Sequence, residues 1–300
     1  MVAKLRVAVV GYGNVGKSAV AAVQLTPDME VAGVVRRRAV RPPGLSADIP
    51  ITEDVGELTG VDVAVLTVPS RIAPDYAQRC LPAGVSTVDS FDLHGDEIWR
   101  HVREMGRMAE QGRACAVVAA GWDPGTDSMV RALMELVISR GVTYTTFGPG
   151  MSLGHSVVCR EIAGVRDAVS FTVPAGDGVH RREVYVELEE GASLEDISDQ
   201  IRQDPYFAGD ETSVTAVDDV TGVTDLGHGV SVQRRGASAD AHNTLSRFEM
   251  RGTNPAMTAE VMVSAARAAS RMEPGAYTLP EIPLFKMLPG EREELVKRLV

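Results

Sequence analysis

Lysine is almost missing from this chain. Of its 30 lysines and arginines only Lys4, Lys17, Lys286 and Lys297 are lysines, so the stretch from 18 to 285 holds none. A mechanism built on a lysine acid/base in the body of the chain is excluded, and proton transfer falls to carboxylates, histidine, arginine or bound water. Cysteine is nearly as scarce. Cys80, Cys115 and Cys159 are odd in number and far apart, which excludes a disulfide framework or zinc ribbon and leaves reduced packing residues. The six histidines show no HxxxH or HExxH spacing, so no metal site is expected. No run of about 18 apolar residues occurs, and the chain enters a strand at once with no apolar leader. A soluble, cytoplasmic protein is the expectation. A net charge of −11 argues against a general nucleic-acid or anionic-membrane surface, since only residues 36–41 are locally basic.

What is present points to a sizeable core: 300 residues, 44% of them hydrophobic, suit two domains. The buried-strand run Lys4–Val10 leads directly into Gly11-Tyr12-Gly13-Asn14-Val15-Gly16, a helical pattern follows (Val15, Ala19, Val20, Val23), and a second strand covers Glu30–Val35. In such a βαβ unit the first glycine allows a tight turn, the second lets backbone N–H groups approach a pyrophosphate, and the third lets helix and strand pack closely. The end of the second strand meets the adenosine ribose. A carboxylate there would accept from a free 2′-OH, whereas Arg36, Arg37 and Arg38 offer planar cationic forks suited to a 2′-phosphate. The expected cofactor is NADP.

Over the first 120 residues strands (5–10, 31–35, 61–68, 85–89, 114–120) alternate with helical patterns (14–25, 71–83, 95–111), which predicts a doubly wound parallel sheet, an α/β Rossmann domain. Past residue 140 the pattern turns to β-type runs at 142–147, 168–173, 183–188, 214–217, 230–233 and 245–251. One helix at 193–203 interrupts them, predicting a second α+β domain with a mixed sheet. Helices at 255–272 and 291–299 are expected to pack back on the first domain. The predicted division is 1–121 with 255–300 for the cofactor and 122–254 for substrate binding and dimerisation.

Ligands of doubly wound sheets bind beyond the strands' carboxyl ends. Strands three to five run there into Thr67-Val68-Pro69-Ser70, Asp89-Ser90-Phe91-Asp92-Leu93-His94-Gly95-Asp96 and Gly121-Trp122-Asp123-Pro124-Gly125-Thr126-Asp127. Asp92, Asp96 and Asp123 are thus candidates to hold a cationic amine near the nicotinamide. Asp89 also reads as a turn residue, and Asp123 before Pro124 as a helix N-cap. The glycine-rich segment Phe147–His155, with Met151, Ser152, Leu153 and Gly154, reads as a loop able to wrap a carboxylate or simply to turn the chain. Thr172, Arg182 opening a strand, His228 between glycines and Asn254 before Pro255 suit a second anion site, although each alone reads more readily as an ordinary surface or capping residue.

The motifs VVGYGNVG, RRR, VDSFDLHGD, AGWDPGTDS, FGPGMSLGHS, HRRE, GHG and TNPA follow one another across essentially the whole chain. In this order they resemble the meso-diaminopimelate D-dehydrogenases, and in particular the shorter form with broader D-amino-acid scope. The resemblance implies NADP-dependent oxidative deamination at the D-centre of meso-2,6-diaminopimelate to L-2-amino-6-oxopimelate, ammonia and NADPH, reversible as reductive amination, in a homodimer. It further implies that Asp92 and Asp123 line the D-amino end, with Trp122 and Phe147 as walls, and that Thr172, Arg182, His228 and Asn254 hold the distal carboxylate. Gly11, Tyr12 to Val15, Arg36 to Arg38, Thr67 to Ser70, Ser90 to Asp92 and Gly121 to Pro124 resemble the family's cofactor contacts. Longer members carry glutamine at the position of Leu153, tryptophan at that of Phe147, and a longer 174–180 connection, so selectivity for one substrate is what these departures affect. A dihydrodipicolinate reductase or homoserine dehydrogenase would share the opening motif but needs a central lysine. A non-catalytic NADP sensor would have no use for carboxylates at two strand ends.

Overall fold

The computed structural model describes residues 4–176, 178–224 and 227–300. These form two compact units, residues 1–129 with 255–300 and residues 130–254. In the first, β1 (Leu5–Val10), α1 (Asn14–Leu25), β2 (Met29–Val35), β3 (Ile51–Thr52), β4 (Val63–Leu66), α2 (Ala73–Cys80), β5 (Ser86–Asp89), α3 (Gly95–Gly112) and β6 (Cys115–Val117) alternate as the sequence pattern predicts, with β3 unforeseen because it is two residues long. The chain passes into the second unit within α4 (Thr126–Val137). Residues 122–129 group with the first unit, eight residues beyond the expected boundary, because Trp122 is buried and Met129 packs against the sheet's core.

The second unit holds β7 (Arg140–Phe147), β8 (Gly150–Ser152), α5 (Leu153–Arg160), β9 (Val165–Gly176), β10 (Val179–Leu188), α6 (Leu194–Gln203), β11 (Glu211–Ala216), β12 (Gly227–Ser238) and β13 (Ala241–Thr253). Its strands form two sheets rather than the single one expected: a mixed sheet in the order β11-β10-β9-β8 and an antiparallel one in the order β13-β12-β7. The expected glycine-rich loop is shorter than its composition implies. Only residues 148–149 are loop, while Met151 and Ser152 lie in β8 and Leu153 and Gly154 open α5. Residue 177, in the 174–180 connection, lies outside the described residues.

The chain returns to the first unit through α7 (Asn254–Ala269), β14 (Gly275–Tyr277), α8 (Leu284–Met287) and α9 (Arg292–Leu299). All strands of the seven-stranded sheet, order β14-β6-β5-β4-β1-β2-β3, are parallel. Alternate residues face opposite sides. Val7, Val63, Val65 and Val117 meet Met262, Val263, Ala265 and Ala266 of α7, while Ala8, Val10, Ala64, Leu66 and Ala116 meet Ala73 and Ala77 of α2 and Met105 and Ala109 of α3. Burial on both faces explains why these strands read as unbroken apolar runs. Cys80, Cys115 and Cys159 are buried and free, and burial pushes each thiol up to about 12. Among the described residues no helix is long and apolar enough to cross a membrane.

One ion pair fastens the returning segment to the sheet. Buried Arg267 on α7 donates Nε and Nη2 to Asp28, at 2.7 and 2.9 Å, and Nη1 to the Met287 carbonyl at 2.7 Å. These hydrogen bonds hold the Asp28 carboxyl below its usual range. Removing the partner of a buried guanidinium costs about 3–5 kcal/mol. Asp28→Ala is therefore expected to lower unfolding free energy in urea by about 3 kcal/mol at pH 7, and by less as pH falls through the lowered Asp28 pKa. A loss below about 1 kcal/mol at pH 7 contradicts this, being what an exposed pair gives.

Candidate active site

The turn after β1 is built for close approach. Gly11 has φ +98°, and a Cβ there would stand 2.8 Å from the Thr67 carbonyl oxygen. A Cβ at Gly16 would stand 2.4 Å from the Gly11 carbonyl oxygen, so α1 can lie this near β1 only without a side chain there. A Cβ at Gly13, by contrast, would meet nothing within 4 Å. Gly13 is the N-cap of α1 and offers no capping side chain, which leaves first-turn N–H groups for an anion. The turn borders a cavity of about 890 Å³ that also takes in Arg36, Arg37, Arg38, Thr67, Val68, Pro69 and Tyr76. Open space over the second glycine and three arginines around one cavity fit a phosphorylated dinucleotide. Arg37 and Arg38 are exposed, and Arg36 donates to the Val40 carbonyl, which folds the basic loop back on itself.

The ends of β5 and β6 lie side by side, since Val88 pairs with Val117. Asp89 is a buried strand end rather than an exposed turn residue. Its Oδ1 accepts from the Phe91 and Ala119 N–H groups at 2.9 and 3.1 Å, and its carbonyl accepts from Ala120 N–H at 2.7 Å. This one side chain thereby ties together the two segments that carry Asp92 and Asp123. Asp92 is exposed, with Oδ1 2.9 Å from His94 Nε2. Asp96 lies apart in the first turn of α3, where its charge meets the helix N-terminus. Asp123 precedes Pro124 through a cis peptide bond and is half-buried. It is not the cap that sequence allowed, because α4 begins only at Thr126. Instead the turn closes on itself: Gly121 N–H donates to the Pro124 carbonyl at 2.9 Å, and Gly125 N–H to Asp127 Oδ1 at 3.1 Å. At Gly125, φ +143°, a Cβ would stand 1.9 Å from the Gly121 carbonyl oxygen. Ser90 and Phe91, and Gly121, Trp122 and Pro124, are thus carried on two fastened strand-end turns.

In the second unit glycines again set the contacts. A Cβ at Gly148, φ +87°, would stand 2.2 Å from the Thr172 carbonyl oxygen. One at Gly150 would stand 2.6 Å from His228 Cα. Thr172 on β9 pairs with Arg182 on β10 on one side and with Gly150 on β8 on the other. Arg182 sits four residues into β10, not at its start, because the polar His180-Arg181-Arg182 run hides the strand's beginning from the apolar pattern. Arg182 is buried, and its guanidinium donates through Nη1 to Thr172 Oγ1 and through Nε to Asp210 Oδ2, the latter at 2.6 Å. His228 is 4% exposed. Burial, with Arg182 nearby, pushes its pKa down to about 4 against a hydrogen bond that the ring donates to the Gly150 backbone, so the ring is neutral at pH 7. Phe147 meets His180 edge to face at 6.0 Å between ring centres.

The remaining candidates are distributed less tightly. Met151 is 2% exposed, in an apolar cluster that Leu153 joins. Ser152 Oγ lies 2.8 Å from His155 Nδ1, and a Cβ at Gly154 would approach Tyr206 at 3.6 Å. Asn254 is half-buried at the start of α7. Sequence reasoning passed over Asp127, His180 and Asp210. Asp127 and His180 lie in the AGWDPGTDS and HRRE motifs, but nothing in the pattern marks His180 or Asp210 as partners of Arg182, the latter pairing spanning 28 residues.

Comparison with known proteins agrees with this geometry. A family model described as the diaminopimelic acid dehydrogenase C-terminal domain matches residues 121–252, and one described as an oxidoreductase family with a NAD-binding Rossmann fold matches residues 5–88. The meso-diaminopimelate D-dehydrogenase of Bacteroides fragilis is 47% identical over 298 residues, 99% of this chain and 99% of that protein. The solved C. glutamicum DAP dehydrogenase in complex with DAP superposes with a TM-score of 0.86 at 31% identity, covering 99% of each chain. An engineered D-amino acid dehydrogenase bound to NADP+ superposes with a TM-score of 0.87 at 32% identity, covering 99% of this chain and 100% of that one. The chain belongs to the meso-diaminopimelate D-dehydrogenase family, with a nicotinamide-dinucleotide-binding Rossmann domain at its N-terminus.

Proposed function

We propose that this protein uses NADP to deaminate the D-centre of meso-2,6-diaminopimelate, consuming one water and releasing L-2-amino-6-oxopimelate, ammonium, NADPH and a proton, and that it runs the reverse amination with the same groups. The observation that carries this reading is the pair Asp92 and Asp123 on adjacent strand ends in a chain with no lysine from 18 to 285. Bound NADP supplies the hydride acceptor, held by the Gly11–Val15 turn and Arg36 to Arg38. The α-carbon gives up hydrogen readily only when its nitrogen is neutral, because the nitrogen lone pair must form the imine as the C–H bond breaks. One of Asp123 and Asp92, directly or through water, takes a proton from the bound ammonium, and the carboxylate that stays ionised stabilises the iminium charge. His94, paired with Asp92, is exposed and gives that carboxylate a route to solvent. Thr172, Arg182, His228 and Asn254 hold the distal carboxylate, His228 as a neutral ring. Phe147 and Trp122 wall the pocket, and Ser152, Gly154 and the Met151 backbone border it.

Two further features complete the reading. On α4, Leu133 and Val137 are exposed and Leu136 is 82% exposed, an apolar patch of the kind that a second copy covers in a homodimer. Three buried free thiols suit a reducing, cytoplasmic setting.

Cofactor choice is testable at the arginines. Each lost charge-assisted phosphate contact costs about 1.5–3 kcal/mol. The double change Arg36→Ala, Arg37→Ala is expected to raise the KM for NADP at least tenfold while leaving the KM for NAD within about twofold. Equal use of NADP and NAD by the parent enzyme rules the preference out.

Asp123→Asn separates charge from shape. Asparagine keeps the shape and most of the hydrogen-bonding reach of aspartate, so the variant should melt close to the parent. Turnover is expected to fall at least about a hundredfold, the lower end of a general-base contribution. Near-parental turnover across the pH range would move the proton-accepting role to Asp92.

A further inference from the structure

Arg182 is not a lone cation. Asp210 Oδ2 accepts from its Nε at 2.6 Å, Thr172 accepts from Nη1, and Nη2 lies 3.1 Å from His180 Nε2. A guanidinium nitrogen can only donate, so His180 Nε2 is the acceptor in that contact and carries no proton to give away. Asp210 Oδ1 lies 3.3 Å from the same Nε2, a contact longer than the one Asp210 makes with Arg182. Burial and the neighbouring Arg182 both push the His180 pKa down, which keeps the ring neutral. The inventory of donors and acceptors is then unequal to the cluster's own needs. Arg182 has used three of its five N–H groups, and Asp210 Oδ1, with two lone pairs and one long contact to His180, has room to accept from a further donor.

The charges matter as much as the hydrogen bonds. Arg182 and Asp210 have side chains 11% and 18% exposed, so both charges lie in a poorly screened setting and cancel each other at short range. A bare carboxylate arriving at Arg182 would gain little net attraction, because Asp210 repels it. A carboxylate and an ammonium on one carbon would meet an opposite charge each. The far end of diaminopimelate is such a zwitterion.

We propose that Asp210 is a specificity-determining residue of the distal subsite: it accepts from the ammonium of the substrate's second amino-acid centre while Arg182 binds the adjoining carboxylate, so the subsite selects a zwitterion over a bare carboxylate. This rests on the reading of Arg182 as the distal anchor. Neither the glycine-turn cofactor site nor the Asp92 and Asp123 pair enters it.

The test compares meso-diaminopimelate with D-2-aminopimelate, which has the same seven-carbon chain and lacks only the distal amine. The parent should favour meso-diaminopimelate by at least tenfold in kcat/KM, and equal values would overturn the proposal with no variant needed. In Asp210→Asn, which keeps shape and removes charge, that ratio should fall at least tenfold while the KM for D-2-aminopimelate drops. Asp210→Glu should hold the ratio within about threefold of the parent. A folded Asp210→Asn whose ratio stays within twofold of the parent would make Asp210 only a structural partner of Arg182. Arg182→Met distinguishes failure of the underlying reading. As a distal anchor its loss weakens both seven-carbon substrates far more than D-alanine, and an equal loss on all three would remove Arg182 from the distal site whatever Asp210 does.

Discussion

A parallel sheet buried on both faces has little room for charged side chains except where its strands end. Val7 to Val10 and Val63 to Leu66 are fully or almost fully shielded, and α7 on one side with α2 and α3 on the other leaves no polar gap between them. Everything chemical in the first unit follows from that constraint. At or just past the strand ends lie Gly11, Thr67, Asp89 and the 119–121 segment, and each either turns the chain tightly or fastens a neighbouring turn. Asp89 shows the economy of the arrangement, with one buried carboxylate holding the two segments that present Asp92 and Asp123.

The second unit answers a different problem, how to bring separate strands to one point. It does so by omitting side chains. Gly148 and Gly150 let backbone lie against Thr172 and against Gly227–His228 at distances no Cβ tolerates, and register then delivers Arg182 beside Thr172. The resulting cluster is polar and largely buried. Its ionisable members are balanced, with two neutral histidines around one guanidinium and one carboxylate.

How much of this was legible beforehand depended on whether the information was local. The glycine turn and the arginines at the end of β2 are contiguous, and apolar runs marked the strands of a sheet buried on both faces. Locally fixed chemistry was therefore readable from Gly11 to Arg38. The opening of β10 was not, because Val179–Arg182 is mostly polar and alternation began to show only at Glu183. Helix α5 was hidden by the glycines and serine before it, which resemble loop composition until strand β8 is seen to pair with β9. Asp210 was invisible for a stronger reason: its partner is set by the folded position of a loop, and no periodicity connects residues 182 and 210. Asp89 reads equally as a turn residue because sequence gives no sign that a carboxylate will be buried until the N–H groups that satisfy it are in place.

The central claim is that carboxylates at two strand ends act on a D-configured amine with NADP as oxidant. NADPH formation measured with meso-, LL- and DD-diaminopimelate tests it most directly. The account predicts reduction with the meso isomer, slower reduction with the DD isomer, whose distal centre has the wrong hand for the subsite, and none with the LL isomer. NADPH formation from the LL isomer at a rate comparable to the meso isomer, or none from the meso isomer, would contradict it.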